Sequence, residues 1–214
     1  MTLLLIFIKS ISYSFVSLFS IVNPIGMSTV FLMLTKNFEA NDRIILAKKV
    51  FKYGSVLLIS TYCFGSFILN AFGISMYALQ IAGGLIIFAS SWKLLNSKHE
   101  ENELKIENPK QLAFYPLTMP LTAGAGAISV SIALSANVFS SSYSFVFFIT
   151  MLAQIIGIIG IMFFTYLCYR YSELITKKLG TNGVLVITKL TAFLLIAIGV
   201  GMIGSGIKSF IHVL

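Results

Sequence analysis

The distribution of charge along the chain most limits what it can fold into. Asp, Glu, Lys and Arg are confined to short clusters, which separate charge-free runs of 26, 40, 59 and 18 residues at 10–35, 53–92, 111–169 and 190–207. A helix needs about 20 apolar residues to cross the hydrocarbon core of a bilayer. The runs hold one, two, two and one spans, which predicts an all-α membrane protein with six transmembrane helices.

We place these helices at residues 3–35, 53–71, 74–93, 112–136, 145–169 and 184–207. Only 10% of the residues are charged, whereas soluble domains carry about a quarter. The sequence therefore predicts one integral membrane domain over 1–214, with a first repeat at about 1–96, a cytoplasmic linker at about 97–111 and a second repeat at about 112–214. The lipid bilayer is the expected partner. The net charge of +8 does not indicate nucleic acid, because no basic patch is independent of the membrane.

The basic residues predict the orientation of the chain. With six spans, 13 of the 15 Lys and Arg residues fall on one side, and only Lys9 and Lys208 on the other. Basic loops are retained in the cytoplasm, so both termini are expected outside it. A third span within the 59-residue run would change the split to 10 against 5, which favours six spans.

Two of the predicted helices contain a break near their middle. Asn23 precedes Pro24 within the first helix, where proline interrupts the hydrogen-bond ladder and asparagine is a good cap for a new helix. In the fourth helix, Pro120 is followed by Thr122, a candidate cap for the second half-helix, and then by glycines. Each break lies 12 to 15 residues from the polar ends of its helix, which places it near the bilayer midplane.

The two halves of the sequence are related by a weak internal repeat. Phe19 and Pro24 recur 96 residues later as Tyr115 and Pro120. Three helices in each half make the second half inverted relative to the first, a plan that recurs in secondary transporters. The predicted architecture is therefore two inverted three-helix repeats, with helices 1 and 4 broken near the midplane.

The breaks also suggest a binding site. Both second half-helices would begin at the midplane, where their positive ends favour an anion such as a carboxylate. The candidate substrate-binding residues are Asn23, Pro24, Gly26, Pro120, Thr122, Gly124 and Gly126. A simple kink and close helix packing remain the alternative interpretation of such Pro and Gly residues. Gln80 and Gln154 either line the pathway or join two helices.

These motifs resemble a known family. The Asn23-Pro24-Ile25-Gly26 break, the segment 116–128 and the Gly83-Gly84 helix are similar to the MarC family of bacterial inner-membrane proteins over essentially the whole chain. The family is also classed as neutral amino acid transporters, because a member carries glycine and alanine. Its second motif often reads Gly-Pro-Gly-Ala, where this chain has Ala125 instead of proline.

The resemblance implies a secondary transporter of small neutral amino acids, or of similar carboxylate-bearing solutes, in the inner membrane. The alternative is a MarC-like protein without amino acid transport: a channel, a scaffold or an exporter of another small molecule. An intramembrane enzyme is not expected, because His99 and His212 lie outside the predicted spans and no metal-ligand spacing is present. No cofactor or metal is predicted. Coupling to sodium, coupling to protons and simple exchange stay open, as does the oligomeric state.

Overall fold

The computed structural model describes residues 3–96, 112–139 and 145–211, and the predicted linker at 97–111 lies outside them. The described residues are helical apart from short connections. The helices are α1 (Leu3–Val22), α2 (Pro24–Leu34), α3 (Ala40–Ala71), α4 (Met76–Asn96), a π-type segment (Ala113–Thr122), α5 (Ala125–Phe139), α6 (Phe145–Arg170) and α7 (Ser172–Ile211).

Four helices in the described part of the chain are long and apolar enough to cross a membrane. These are α1, α3, α6 and the portion Leu185–Ile211 of α7. The π-type segment and α5 add a fifth span if this bent pair crosses as one. The predicted all-helical membrane architecture is confirmed at this level. α4, the predicted third span, has 21 residues but does not belong to this set.

The surface of these helices is strongly apolar. Phe67, Phe64 and Phe193 are 75%, 62% and 61% exposed, and all three belong to the candidate spans. Such side chains would be costly in water, whereas lipid tails are as apolar as they are. The burial of α1, α3, α6 and α7 is therefore completed by lipid.

Small residues let the helices pack closely against one another. A Cβ on Gly157 of α6 would lie 1.9 Å from the Ser14 hydroxyl of α1, and one on Gly84 of α4 would lie 2.6 Å from the Gly199 carbonyl of α7. Neither position can hold a side chain without a shift of its neighbour. The close approach of Gly84 and Gly199 fixes α4 against α7.

α7 is not one straight rod. Gly180 has φ 66° and ψ 173°, a backbone conformation that strongly favours glycine, and it separates a short first piece from the long span. The short piece is joined to α3 by an ion pair of 2.9 Å between Arg43 and Glu173. The predicted sixth helix, which begins at residue 184, therefore corresponds to the second part of α7.

Candidate functional site

The first break lies at Asn23, between α1 and α2. Asn23 has φ 43° and ψ 62°, a left-handed conformation that asparagine tolerates better than most residues. Its side-chain oxygen accepts a hydrogen bond of 3.3 Å from the Gly26 N–H, and Pro24 is the first residue of α2. The predicted break, its asparagine cap and the position of the proline are confirmed.

The N-terminus of α2 has little hydrogen-bonding capacity left for a solute. Pro24 has no N–H, the Gly26 N–H is bonded to Asn23, and the Met27 N–H donates to the Asn23 carbonyl at 2.9 Å. Among the first four residues of α2, Ile25 alone keeps an N–H without such a bond among the described residues. The expectation that α2 contributes a strong anion site is therefore weakened.

The second break is a bend of 64° between the π-type segment and α5. Tyr115 and Met119 are extended (φ −122° and ψ 126°; φ −122° and ψ 121°), and each precedes a proline, which disfavours the helical conformation for the residue before it. The peptide bonds that join them to Pro116 and Pro120 are cis. The chain therefore leaves helical geometry twice before α5 begins.

The hydroxyl of Thr122 does not cap α5, which corrects the sequence-based prediction. It lies 2.6 Å from the Leu117 carbonyl, to which it donates, and 2.8 Å from the Tyr169 hydroxyl of α6. Thr122 ends the π-type segment, and Ala123 and Gly124 separate it from α5. Its hydroxyl is thus used to fasten the bend to α6.

A cavity of about 460 Å³ lies at the second break. Its walls come from Ile21 of α1, from α2, α4, the π-type segment and the start of α5, and from Leu195 of α7, and they are mostly apolar. The predicted residues Pro120, Thr122, Gly124 and Gly126 line this cavity. Asn23, Pro24 and Gly26 do not belong to its lining.

The first turn of α5 forms a wall of the cavity. Ile128, the fourth residue of α5, donates its N–H to the Gly124 carbonyl at 3.0 Å. The N–H groups of the three residues before it, Ala125, Gly126 and Ala127, have no carbonyl within their own helix to bond. These residues line the cavity, and the positive end of the helix dipole lies there.

The glycines of this turn are required for close packing. A Cβ on Gly124 would lie 2.2 Å from the Pro120 carbonyl oxygen, and one on Gly126 would lie 2.1 Å from Ile87 Cδ1 of α4. The small size of these residues therefore lets the bend close and lets α5 approach α4. The space for a solute lies beyond them, in the cavity itself.

Gly26 has a packing role at another interface. A Cβ there would lie 2.0 Å from the Thr191 hydroxyl of α7. One turn along α2, the Thr29 hydroxyl lies 3.3 Å from that of Thr188. The first break therefore positions α2 against α7, and Ile21 and Met27 on either side of this break line the cavity at the second break.

The two glutamines have different surroundings. Gln154 of α6 is 4% exposed and accepts a hydrogen bond of 2.9 Å from the Tyr62 hydroxyl of α3, so it joins two helices. Gln80 of α4 lines a second cavity of about 330 Å³, together with Ser129 and Ser205.

Sequence reasoning missed the wall contributed by α4 and the anchor from α6. Ser90, Ser91 and Lys93 line the first cavity, and Tyr169 holds Thr122 from behind it. The adjacent serines near the end of an apolar helix are the one signal that could have suggested this wall. Tyr169 carries no signal, because its role depends on the packing of α6 against the bend.

The lining of the first cavity contains no Asp, Glu, His or Cys. No group of three or more such side chains anywhere in the described residues could hold a metal ion. A helix N-terminus, serine hydroxyls and one lysine on apolar walls form an arrangement that can bind a small molecule.

Comparisons with known proteins give one consistent result. The family model for MarC family integral membrane proteins matches residues 8–211. The chain is 34% identical to the membrane protein YvbG of Bacillus subtilis over 211 residues (95% of this chain and 97% of the relative). It is 30% identical to the inner membrane protein MarC of Salmonella typhimurium over 213 residues (95% and 96%). A membrane protein of Buchnera aphidicola is 36% identical over 207 residues (94% and 92%). No solved structure matches the chain.

Proposed function

This chain belongs to the MarC family of integral membrane proteins, and on that premise we propose that it is a secondary transporter of small neutral amino acids or similar carboxylate-bearing solutes. The observation that carries the proposal is the cavity of about 460 Å³ with the N-terminus of α5 on its wall. Its volume lies within the range of about 300–1,000 Å³ that is usual for small-molecule sites.

The chemistry of the lining supports a solute with a carboxylate. The free N–H groups of the first turn of α5 and the helix dipole attract an anion. Lys93 adds a positive charge, and no lining residue carries a negative one. The apolar walls, among them Ile86, Ile87 and Leu195, suit an aliphatic side chain on the same solute. An ammonium group would bond to the hydroxyls of Ser90 and Ser91.

The helix contacts support the proposal of six spans in two inverted repeats. α1 and α2 pack against α6, and in the same way the π-type segment and α5 pack against α3. α2 also packs against α7 as α5 packs against α4. The remaining large contacts, between α4 and α7 and between α3 and α6, join elements that such a repeat makes equivalent. In this arrangement both termini lie outside the cytoplasm and Lys93 is on the cytoplasmic side.

The test is counterflow in liposomes. The purified protein is reconstituted with unlabelled alanine or glycine inside, and uptake of the labelled amino acid is followed with and without sodium or a proton gradient. Saturable counterflow is expected, because a carrier that has released unlabelled solute outside returns with labelled solute in its binding site. A transporter of known activity is reconstituted beside it as the positive control.

A matched pair of variants connects the activity with the cavity. Ser90→Phe fills the first cavity and is expected to remove most of the counterflow. Ser209→Phe places the same side chain at an exposed position of α7 that lines neither cavity, and it is expected to leave counterflow unchanged. Absence of counterflow in the unmodified protein would contradict amino acid transport. Flux that neither saturates nor exchanges would indicate a channel.

A further inference from the structure

The second cavity lies between three helices that also contribute to the first. It is lined by Gln80 of α4, by Ser129 of α5 and by Ile198 and Ser205 of α7, among others. Its volume is about 330 Å³. The sequence leaves open whether Gln80 lines the pathway or joins two helices, and in the structure it lines this cavity.

The two cavities follow one another along these helices. On α5, Ala127 lines the first cavity and Ser129 the second. On α7 the corresponding change occurs between Leu195 and Ile198. On α4 it occurs between Ile86 and Gln80. At 1.5 Å per residue these steps are about 3, 4.5 and 9 Å, so the two linings are less than two helical turns apart on each helix.

The barrier between them is the contact of α4 with α5. A Cβ on Gly83 would lie 2.6 Å from the Ser129 hydroxyl oxygen, and one on Gly126 would lie 2.1 Å from Ile87 Cδ1. We call these four residues, Gly83, Ile87, Gly126 and Ser129, the α4–α5 seam. At these positions α4 and α5 are in direct contact.

Few interactions hold the seam closed. The Ser129 hydroxyl donates to the Ala125 carbonyl of its own helix at 2.8 Å, and it lies 3.5 Å from the Leu79 carbonyl of α4, at the outer limit of hydrogen bonding. No residue of the seam is charged. Because α5 begins after a bend of 64°, its first turn is not continuous with the segment before it. Moving this turn away from α4 would therefore break no strong polar contact.

We propose that the second cavity is the far vestibule of the solute route and that the α4–α5 seam is the gate between the two cavities. This rests on the proposed transport function. The conformation described is then open on the side of Lys93 and Tyr115, which line the first cavity and are exposed. On the other side, Gln80 and Ser205 offer neutral donors and acceptors for both the carboxylate and the ammonium of an amino acid.

The first test locks the seam with a disulfide. In a chain whose Cys63 and Cys168 are replaced by alanine, we introduce Gly83→Cys with Ser129→Cys. A Cβ at position 83 would lie 3.4 Å from that of Ser129, close to the separation of about 3.8 Å in disulfides. Oxidation is expected to cross-link the pair and to abolish alanine counterflow, and a reductant should restore it.

A matched control uses an interface outside the route. Ser66→Cys with Ser135→Cys joins α3 to the later part of α5, where the two hydroxyl oxygens lie 2.9 Å apart and neither residue lines a cavity. This cross-link is expected to leave counterflow unchanged. Counterflow that persists in the cross-linked Gly83–Ser129 pair would overturn the gate, and so would failure of that pair to cross-link.

The second test needs no transport activity. Ser90→Cys and Ser205→Cys are introduced separately and treated in liposomes of defined orientation with a membrane-impermeant thiol reagent. Ser90→Cys is expected to react from one side only, and Ser205→Cys only from the other. Reaction of both from the same side, or reaction of Ser205→Cys with lipid-soluble reagents alone, would overturn the far vestibule. If counterflow is absent but the labelling is as expected, the transport proposal fails separately.

Discussion

At the scale of single residues, Asn23 performs two tasks in one position. It adopts a left-handed conformation and its side chain caps α2. Alanine can do neither at low cost: loss of a cap costs about 1 kcal/mol, and the left-handed conformation costs about 1–2 kcal/mol for a residue with a Cβ. We therefore expect Asn23→Ala to lower the free energy of unfolding by about 2–3 kcal/mol.

Glycine is the matched control at this position, because it adopts the left-handed conformation freely. As an N-cap it costs only about a few tenths of a kcal/mol relative to asparagine. In detergent, the thermal unfolding temperature of Asn23→Gly should therefore be close to that of the native protein, and that of Asn23→Ala should be well below both. Equal unfolding temperatures for the two variants would contradict the left-handed conformation of Asn23.

Thr122 and Tyr169 allow a second prediction at this scale. Thr122 has one hydroxyl proton, which it donates to Leu117, so Tyr169 is the donor in their 2.8 Å contact. Thr122→Val leaves the buried tyrosine O–H without this acceptor, which costs about 1–3 kcal/mol. Tyr169→Phe keeps the Thr122–Leu117 bond and the stacking on Phe31 (centroids 4.5 Å apart), so its cost is closer to 1 kcal/mol.

The measurement is again thermal unfolding, now of both single variants and of the double variant. Thr122→Val should be the less stable of the two single variants. The double variant should be more stable than the sum of the two effects predicts, because removal of the tyrosine hydroxyl also removes the buried unpaired donor. Additive effects would contradict the hydrogen bond between the two hydroxyls, and a Tyr169→Phe variant less stable than Thr122→Val would contradict Tyr169 as its donor.

At the scale of helices, the contact of α2 with α7 depends on the absence of a side chain at Gly26. Since a Cβ would lie 2.0 Å from the Thr191 hydroxyl oxygen, Gly26→Ala must push α2 from α7, and such overpacking costs about 1–3 kcal/mol. Gly204→Ala is the control, because nothing lies within 4 Å of its Cβ position. Alanine there should stabilise the helix by about 0.5–1 kcal/mol. A stability of Gly26→Ala equal to that of the control would contradict the described packing.

Local patterns in the sequence were enough to place the breaks but not the faces that meet at them. Asn23 and Pro24 specify a helix start whatever surrounds them, so this break was predicted correctly. Gly26 and Gly124 look alike in sequence, yet one packs on Thr191 and the other lines the cavity. That difference depends on the positions of α7 and α4, and it is fixed by long-range packing. Lys93 was missed for the same reason.

At the scale of the whole molecule, the bilayer replaces a large part of the core. Between 17% and 39% of the residues in the best windows of α1, α3, α6 and α7 are buried within the protein, so lipid covers most of the remaining apolar surface. Uncovered polar backbone is costly in lipid, and the irregular backbone around Pro116 and Pro120 lines the first cavity. The bend and the cavity therefore belong together, because the cavity supplies the surroundings that such backbone needs inside a membrane.

The bent pair also determines the topology of the second half. In the proposed orientation, with Asn96 in the cytoplasm, a bent pair that crosses the membrane places Arg170 in the cytoplasm and Ile211 outside. If the pair enters and leaves on one side, both positions exchange sides. Because the six-span arrangement collects 13 of the 15 basic residues on one side, we expect the pair to cross.

Truncated chains fused to alkaline phosphatase or to green fluorescent protein test this topology. Phosphatase is active only outside the cytoplasm and the fluorescent protein is bright only inside it. Fusions after Asn96 and Arg170 should be fluorescent and lack phosphatase activity, while a fusion after Ile211 should show the reverse. Asn96 is the internal control, since it precedes the pair and should stay cytoplasmic in either arrangement. Phosphatase activity after Arg170 with fluorescence after Ile211 would make the pair re-entrant, and the inverted repeat would then have to be abandoned.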